Sequence, residues 1–510
     1  MRYLMILEVS QKQAYIFAST KLKNNIENSE AICKVTDPRY FRQLAQQGIV
    51  SFDEKMNLVY TGGGHTILEF EDREKARAFA YAVSMAVKQE FHEIELFIKI
   101  MEYDDQKKPG ENLKLLSDEL EKKKAIRQAS FHQGTFGVEK MDSELRKPVG
   151  EVENAVKAEW KSNPEYIPEG FRQVSQFDRI GNSRNDSSFI AIVHIDGNAM
   201  GKRVEKLREV YGNADWSEYK VVLRKFSDSI DEDFKTAYQE MADEIAENIR
   251  AGKLDKLDLK DNNFPVRRII LAGDDVCFVT EGRIGIEAAR IFINKLSQKV
   301  NKQDKQGYTA CAGVAIVHQK YPFYKAYEVA EMLCSNAKKY LVSFQDQVRD
   351  SSGRGCAIDW HIEYGEVVDS LIEVRKMYNT NDGKRLELRP YLILADKELM
   401  QCEKYRRYED FKKRIISLES DVDKGIISRG KVKELRNALK EGENAAVYYM
   451  RSSLIDDLTL LEYIGAEVET DKIGRGQGMD KKIFVETADG QERSLLFDVI
   501  EVMDTYISLD

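Results

Sequence analysis

The segments SFIAIVHID (188–196) and VRRIILAGDDVCFVT (266–280) decide the fold of this 510-residue chain. Both are largely apolar runs of strand length, and the Gly-Asp-Asp in the second predicts a tight hairpin between two buried strands. Asp196 ends the first run, and Asp274 and Asp275 stand at the hairpin tip. If the hairpin pairs with the first strand, these three carboxylates come together at one edge of the sheet.

The elements predicted around this hairpin occur twice in the chain. The second copy continues with helices from about 200 to 250, a helix over 284–300, a strand over 309–318 and a helix over 324–341. The first copy has a strand over 3–9, a helical stretch to Ile32, a hairpin over 56–70, a helix over 72–91 and a strand over 94–103. Two copies of one strand, helix, hairpin, helix, strand unit form an internal repeat. The pattern predicts an α+β fold with helices layered on a sheet.

The repeat divides the chain into four predicted parts. They are a first repeat domain over 1–104, a helical connecting module over 105–187, a second repeat domain over 188–400 and a mainly helical domain with a strand-like ending over 401–510. The connecting module is charge-dense and contains three consecutive lysines at 122–124. We interpret these lysines as a solvated face, with nucleic-acid contact as the alternative.

Composition excludes several classes of protein. Lys plus Arg total 78 and Asp plus Glu 87, a net charge of −9, so any nucleic-acid contact must use local patches. The N-terminal apolar run is too short for a signal peptide, and no stretch approaches the roughly 18 to 20 apolar residues of a membrane span. We therefore expect a cytoplasmic protein without membrane contact. The six cysteines form no C-x-x-C pair, which argues against a zinc ribbon and a disulfide framework; Cys277 and Cys311 are expected to be buried and inert.

The three carboxylates predict a site for a hard cation. Acidic residues beside buried strands are costly unless they are paired or bound to a cation, and Gly273 supplies the positive φ that a tight hairpin needs. Such oxygen donors hold Mg²⁺ (or Mn²⁺) with a triphosphate, and two ions stabilise both the attacking and the leaving oxygen of phosphoryl displacement. The Gly197 carbonyl is a candidate to complete the metal shell. A plain hairpin tip without metal is the alternative interpretation of Gly-Asp-Asp alone.

Further residues are candidates for binding a nucleotide. In the second copy they are Gly197, Lys202, Gly273 and Lys338, with Arg203 and Lys339 beside them. In the first copy they are His65 and the loop glycines Gly62, Gly63 and Gly64, whose N–H groups are suited to phosphate. The alternatives are a surface position for the lysines, a simple turn for the glycines and a structural role for the histidine. The first copy has Glu8 and Ser10 at its strand end and lacks the acidic pair, so it cannot form the same metal site.

Five segments resemble the large polymerase-like subunit of type III CRISPR–Cas effector complexes. They are HIDGNAMGK (194–202), AGDD (272–275), AIVHQKYPFYKAYEVAEMLCSNAKK (315–339), LEVSQKQAYIF (7–17) and TGGGHTILEF (61–70). The resemblance covers about residues 1–400 and implies two ferredoxin-like palm domains of the nucleotidyl cyclase and polymerase type, with helical modules. It implies that Asp196, Asp274 and Asp275 are catalytic and bind the two Mg²⁺ ions, with ATP as substrate. The first palm, without the acidic pair, would help to hold a nucleotide.

The sequence departs from the pattern of this family in several places. Ala272 replaces the first glycine of the turn, which we expect to be tolerated. Asn198, kept here as a nucleotide-binding candidate, stands where the family usually has a second Asp, so one ligand or charge is lost. The chain begins at the first palm, so we expect no N-terminal His-Asp nuclease domain. The cysteines of the usual zinc site between the palms are also missing.

The resemblance implies an enzyme, a nucleotidyltransferase that converts ATP to a cyclic oligoadenylate when target RNA is bound. Its partners would be the other effector subunits with guide RNA and target RNA. One alternative is a catalytically silent scaffold subunit that holds these RNAs. Another is a stand-alone defence cyclase that makes a cyclic dinucleotide. The sequence leaves the ring size, base and linkage of the product open.

Overall fold

The fold was analysed in a computed structural model. It describes residues 2–19, 21–91, 93–126, 138, 165–174, 176–180, 188–255, 257, 259–344, 355–363, 370–453 and 483–509. Most of the predicted connecting module (105–187) lies outside the described residues.

The first palm is a four-stranded antiparallel sheet with the strand order β2-β3-β1-β4. Its strands are β1 (Tyr3–Ser10), β2 (Leu58–Gly62), β3 (His65–Phe70) and β4 (Glu95–Glu102). Its helices are α1 (Lys12–Ile16), α2 (Leu22–Thr36), α3 (Pro38–Gln46), α4 (Glu54–Asn57) and α5 (Arg73–Glu90). The predicted hairpin (56–70), the predicted helix over 72–91 and the predicted strand over 94–103 correspond to β2 with β3, to α5 and to β4. Their ends agree to within two residues.

The helix after the first palm, α6 (Pro109–Ala125), packs on β4 and β1. Lys123 donates a hydrogen bond to the Ile98 carbonyl (2.7 Å), and Lys99 pairs with Glu119 (2.8 Å). These contacts attach the start of the predicted connecting module to the sheet of the first palm.

The second palm contains a six-stranded sheet with the order β10-β9-β8-β5-β7-β6. Its strands are β5 (Phe189–Gly197), β6 (Val266–Ala272), β7 (Asp275–Glu281), β8 (Ala310–His318), β9 (Gly355–Ile362) and β10 (Tyr391–Ala395). Its helices are α7 (Met200–Val210), α8 (Trp216–Arg250), α9 (Gly285–Ser297), α10 (Phe323–Val342), α11 (Leu371–Lys376) and α12 (Lys397–Cys402). The fold class predicted from the sequence is confirmed, and β9 and β10 extend the second sheet beyond the predicted repeat unit.

The C-terminal part packs on the second palm. Its helices are α13 (Tyr408–Asp423), α14 (Arg429–Glu441), α15 (Glu443–Ser452) and α16 (Phe497–Val502), and its short hairpin is β11 (Phe484–Glu486) with β12 (Glu492–Ser494). The strand-like ending expected from the sequence is this hairpin, and a helix follows it. Leu435, Phe484 and Phe497 are buried in the same hydrophobic core as the sheet residues Val193 and Val314.

The central strand β5 separates two cores, because its side chains alternate between the two faces of the sheet. Ala191, Val193 and Ile195 pack with α8, α9 and the C-terminal helices. Ile190 and Ile192 pack into a core that they share with the first palm and α10. Residues with even numbers on β5 therefore face the first palm, and Asp196 is one of them.

The cysteines and the apolar helices bear on two further expectations from the sequence. Cys277 and Cys311 are fully buried, as predicted, and none of the six cysteines, all of which lie in the described residues, forms a disulfide. Among the described residues, no helix is long and apolar enough to cross a membrane.

Candidate functional site

Asp196 and Asp275 lie directly opposite each other on neighbouring strands. They are a register pair of β5 and β7, and the backbone N–H of Gly197 donates to the Asp274 carbonyl (3.2 Å). Gly273 adopts a φ of +64° at the hairpin tip, a conformation that glycine reaches without strain. The predicted hairpin thus pairs with the predicted strand and brings all three aspartates together.

Burial and the nearby charge of Asp196 raise the pKa of the two carboxyl groups at the turn. The pKa of Asp274 is raised to about 6, first by burial and then by the charge of Asp196. The pKa of Asp275 is raised to about 7 by the same two causes in the same order. The Oδ1 atom of Asp275 is buried and has no hydrogen-bond partner among the described residues. The site concentrates negative charge without enough positive charge to compensate for it.

Lys338 of α10 supplies one compensating charge. Its Nζ lies 2.6 Å from Asp196 Oδ2 and donates a hydrogen bond to the Gly197 carbonyl (3.1 Å). Burial opposes the charged ammonium, but the carboxylate of Asp196 outweighs burial and raises the pKa of Lys338. The predicted candidates Gly197 and Lys338 are therefore in contact with the aspartates, Gly197 with the Asp274 carbonyl and Lys338 with the Asp196 carboxylate.

The residues present fit a hard divalent cation. Carboxylate oxygens are the preferred ligands of Mg²⁺, and the raised pKa values and the orphaned Asp275 Oδ1 atom indicate missing positive charge. In the observed side-chain conformations, however, no group of three or more His, Cys, Asp or Glu residues within the described ranges is arranged to hold a metal. Asp196 is held by Lys338 instead, so metal binding requires Asp196 to exchange that partner.

A cavity of about 450 Å³ lies between the two palms. The glycines Gly62, Gly63 and Gly64 and the His65 side chain line one side, and Gly273 and Asp274 line another. Arg208 of α7 also lines it. The loop and the turn that the sequence singled out in separate repeats thus border one space, which is large enough to take part of a nucleotide.

In the first palm, Glu8 and His65 occupy the places that Asp196 and Asp275 occupy in the second palm. Glu8 on β1 pairs in register with His65 on β3. Lys124 of α6 lies 2.9 Å from Glu8, and Lys12 of α1 lies 3.9 Å from it. Lys12 also donates to the Gly63 carbonyl (2.6 Å). Two ammonium groups therefore balance the carboxylate at the position where the second palm has its carboxylate cluster.

The His65 ring is part of this arrangement. Tyr60 and His65 form a hydrogen bond between the hydroxyl and Nε2. Burial lowers the pKa of His65 to about 4, so the ring is neutral at neutral pH. The histidine thus has the structural contact that the sequence left open and also borders the cavity.

Three other candidates occupy different surroundings. The Asn198 amide is buried and donates to the Gly355 carbonyl (3.1 Å), which holds the start of β9. Arg203 is buried in an ion pair with Asp304 (2.7 Å) and does not face solvent. Lys202 is exposed on the first turn of α7.

Sequence reasoning did not identify Lys12 and His194 as site residues. Lys12 contacts the glycine loop and lies close enough to Asp275 to lower the pKa of that carboxyl, although burial dominates the shift. His194 Nδ1 lies 3.6 Å from Asp275 Oδ1. The alternation of β5 could have indicated His194, which is two residues from Asp196; no local pattern indicates Lys12.

The comparisons with known proteins agree with this architecture. Residues 189–347 match the family model of the second palm domain of Cas10/Cmr2. No curated protein matches the chain in sequence. The resemblance that the sequence predicted is confirmed: the chain is similar to a Cas10-type large subunit.

Solved structures of a Csm1–Csm4 cassette share the fold. The cassette in complex with cA4 has a TM-score of 0.54 at 14% identity, covering 99% of this chain and 70% of that chain. The complex with pppApApA has a TM-score of 0.55 at 13% identity and covers 99% and 69%. The complex with AMPPNP has a TM-score of 0.52 at 15% identity, again covering 99% and 69%. At these identities the likeness concerns the fold.

Proposed function

We propose that this chain is a Mg²⁺-dependent nucleotidyltransferase that joins ATP molecules into a cyclic oligoadenylate. The observation that carries the proposal is the register pair of Asp196 and Asp275, with Asp274 at the turn beside a cavity bounded by the glycine loop. Neither strand ends nor hairpin tips need three carboxylates for stability, and the raised pKa values indicate that they are costly there.

The reaction is an in-line displacement at phosphorus. A ribose hydroxyl on the 3′ side of one ATP attacks the α-phosphorus of another and forms a phosphodiester bond. The bond from the α-phosphorus to the β-phosphate oxygen breaks, pyrophosphate leaves, and the hydroxyl proton passes to solvent water. The same step between the two ends of the chain closes the ring. Two Mg²⁺ ions, when bound, stabilise the attacking and leaving oxygens. Asp196, Asp274 and Asp275 would hold them, with the Gly197 carbonyl as a further oxygen donor.

The chain's other residues bind and orient the substrates. Lys338 is placed to neutralise phosphate charge once Asp196 has exchanged partners. Phosphate can also be bound from the first palm, by the N–H groups of the Gly62–Gly64 loop and by the Lys12 ammonium. Holding the two reacting nucleotides side by side between the palms turns a bimolecular reaction into an effectively intramolecular one.

We further propose that the chain works in the cytoplasm, within a type III CRISPR effector complex that carries guide RNA and binds target RNA. The second-palm family match and the fold of the Csm1–Csm4 cassettes support this placement. Those cassettes are in complex with cA4, pppApApA and AMPPNP, which supports adenine nucleotides as the substrate class.

A silent scaffold subunit is the second candidate. Asp196 is engaged by Lys338, and Asn198 is used to hold β9 rather than to add a ligand. A scaffold would need neither the acidic cluster nor the cavity beside it.

Mass spectrometry of reaction products separates these functions. The purified chain, alone and with its co-purified partners, is incubated with Mg²⁺ and all four NTPs, beside the double variant Asp274→Ala/Asp275→Ala. An oligoadenylate made by the native protein and lost in the variant supports the proposal. Product from the isolated chain without RNA would favour a stand-alone cyclase. No product from either preparation, with target RNA added, would favour the scaffold.

A further inference from the structure

A buried histidine stands directly behind the acidic turn. His194 precedes Asp196 by two residues on β5, so both side chains project from the face that the first palm covers. Only 6% of His194 is exposed. Its register partner across the hairpin is Cys277, which makes Asp275 its diagonal neighbour. The site as proposed so far assigns no role to this side chain.

His194 and Asp275 have two unsatisfied atoms that face each other. His194 Nδ1 and Asp275 Oδ1 are 3.6 Å apart, just beyond hydrogen-bond distance. Both atoms are buried, and neither has a hydrogen-bond partner in the part of the chain that the structure describes. Buried polar atoms without partners are rare in proteins because each costs free energy. A small closure of the site would satisfy both at once.

The other side of the imidazole is fixed by an aromatic contact. The Tyr327 ring of α10 meets the His194 ring at a centroid distance of 5.5 Å and an angle of 76°. Gln13 of the first palm donates hydrogen bonds to the Tyr327 hydroxyl (3.2 Å) and to Glu331 (2.8 Å). The histidine is therefore held between Tyr327 and Asp275, and the first palm supports the residue behind it.

The imidazole of His194 can act as the donor of one hydrogen bond. A neutral imidazole carries one N–H and one acceptor nitrogen. With the proton on Nδ1, the ring can donate to a carboxylate without adding a positive charge that would repel a cation.

We propose that His194 is a positioning residue for Asp275. Its Nδ1–H donates a hydrogen bond to Asp275 Oδ1 and thereby fixes the orientation of the carboxylate that would bind the cation. The inference rests on the proposed function, because it takes Asp275 to be a metal ligand. Residues that orient metal ligands in this way change metal affinity about 10- to 100-fold when they are replaced.

The test uses three substitutions that differ in where an N–H is placed. Asparagine carries its amide N–H at the level of Nδ1, whereas glutamine carries it at the level of Nε2, and leucine has none. The variants His194→Asn, His194→Gln and His194→Leu are compared in the full chain. Mn²⁺ binding is measured by electron paramagnetic resonance without nucleotide, and the melting temperature of the metal-free protein shows whether each variant folds.

We expect His194→Asn to bind Mn²⁺ nearly as tightly as the native protein, and His194→Gln and His194→Leu to bind about tenfold more weakly or worse. Equal affinity in all variants would overturn the proposal, and so would equal weakening in all three. The Asp274→Ala/Asp275→Ala variant tests the premise separately. If it binds Mn²⁺ as the native protein does, the proposed metal site itself is wrong, whatever the histidine variants show.

Discussion

Glu8 and Asp196 occupy the same place in the two palm sheets. Glu8 pairs in register with His65, the first residue of β3, and Asp196 pairs with Asp275, the first residue of β7. Their neighbours differ in charge. Two lysines approach Glu8, at 2.9 and 3.9 Å, whereas two further carboxylates accompany Asp196. The same backbone geometry thus supports a neutralised site in one palm and an acidic site in the other.

This relationship predicts that two matched substitutions change the rate of product formation by very different amounts. Asp196→Asn should reduce product formation about 100-fold or more, because metal ions contribute several kcal/mol to phosphoryl transfer. Glu8→Gln should change it by less than about fivefold, since a partly exposed ion pair contributes about 1 kcal/mol at most. The measurement is the initial rate of product formation at saturating Mg²⁺. Equal losses in both variants would contradict the distinction between the two palms.

The raised pKa values predict a pH-dependent cost in the metal-free protein. The pKa of Asp274 is about 6 and that of Asp275 about 7, above the roughly 3.9 of an unfolded aspartate. Ionised carboxylates therefore destabilise the fold, with the full cost above pH 7. The cost falls as the pH drops through the folded pKa values of about 7 and about 6, and it is gone near pH 4, where the unfolded side chains are protonated as well. In EDTA, the Asp274→Asn/Asp275→Asn variant should melt at a higher temperature than the native chain at pH 8.

The difference between the two melting temperatures should shrink as the pH is lowered to 5, where the native carboxyls have taken up protons. Added Mg²⁺ should stabilise the native chain at pH 8 and leave the variant almost unchanged, because only the native chain has the ligands. A difference that stays constant between pH 8 and pH 5 would show that these two groups titrate normally.

Lys338 and its neighbour Lys339 provide another matched pair. Lys338 contacts Asp196 (2.6 Å), whereas Lys339 is exposed. Lys338→Met should raise the KM for ATP about tenfold, because one charge-assisted contact to phosphate is lost. Lys339→Met should leave KM unchanged. Steady-state kinetics over a range of ATP concentrations separates KM from kcat; a KM unaffected by Lys338→Met would restrict the lysine to a structural role.

Local patterns were sufficient to predict the repeat, but not the two strands added to the second sheet. The segment of β9, GCAIDWHI, is fully buried although it contains Asp359 and His361. Asp359 is stabilised by Arg375 (2.6 Å) and by Asn336 of α10 (2.7 Å). These partners are distant in sequence, so the run does not have the uniform apolar pattern of a buried strand.

The same limit applies to the site. Asp196, Asp274 and Asp275 follow from the sequence, because a strand end and a hairpin tip are local features whose pairing the repeat order implies. Lys12 contacts the Gly63 carbonyl within the first palm and from there lies close enough to Asp275 of the second palm to lower the pKa of that carboxyl. The approach to Asp275 depends on how the two palms pack, and single-sequence patterns do not contain that information.

Because Gly197 has no side chain, the acidic turn can approach β5 closely. A Cβ atom there would lie 2.8 Å from Met200 Cε and 2.9 Å from Asp274 Cβ. The methionine can move aside, but Asp274 Cβ moves only with the turn. Gly197→Ala should therefore displace a carboxylate and lower the rate of product formation about 100-fold, as small misplacements of reacting groups do.

Gly430 is the control for this substitution. A Cβ atom at Gly430 would have Ser428 Oγ as its nearest neighbour, at 3.9 Å, and the residue lies in α14. Gly430→Ala should keep the native rate and stabilise the fold by about 0.5 to 1 kcal/mol through helix propensity. Gly197→Ala should destabilise it by about 1 to 3 kcal/mol through overpacking. Thermal melts and product rates are measured together on both variants. If Gly197→Ala were destabilised to this extent but kept the native rate, the close approach of the turn to β5 would be a packing feature, and the position of Asp274 would not control the chemistry.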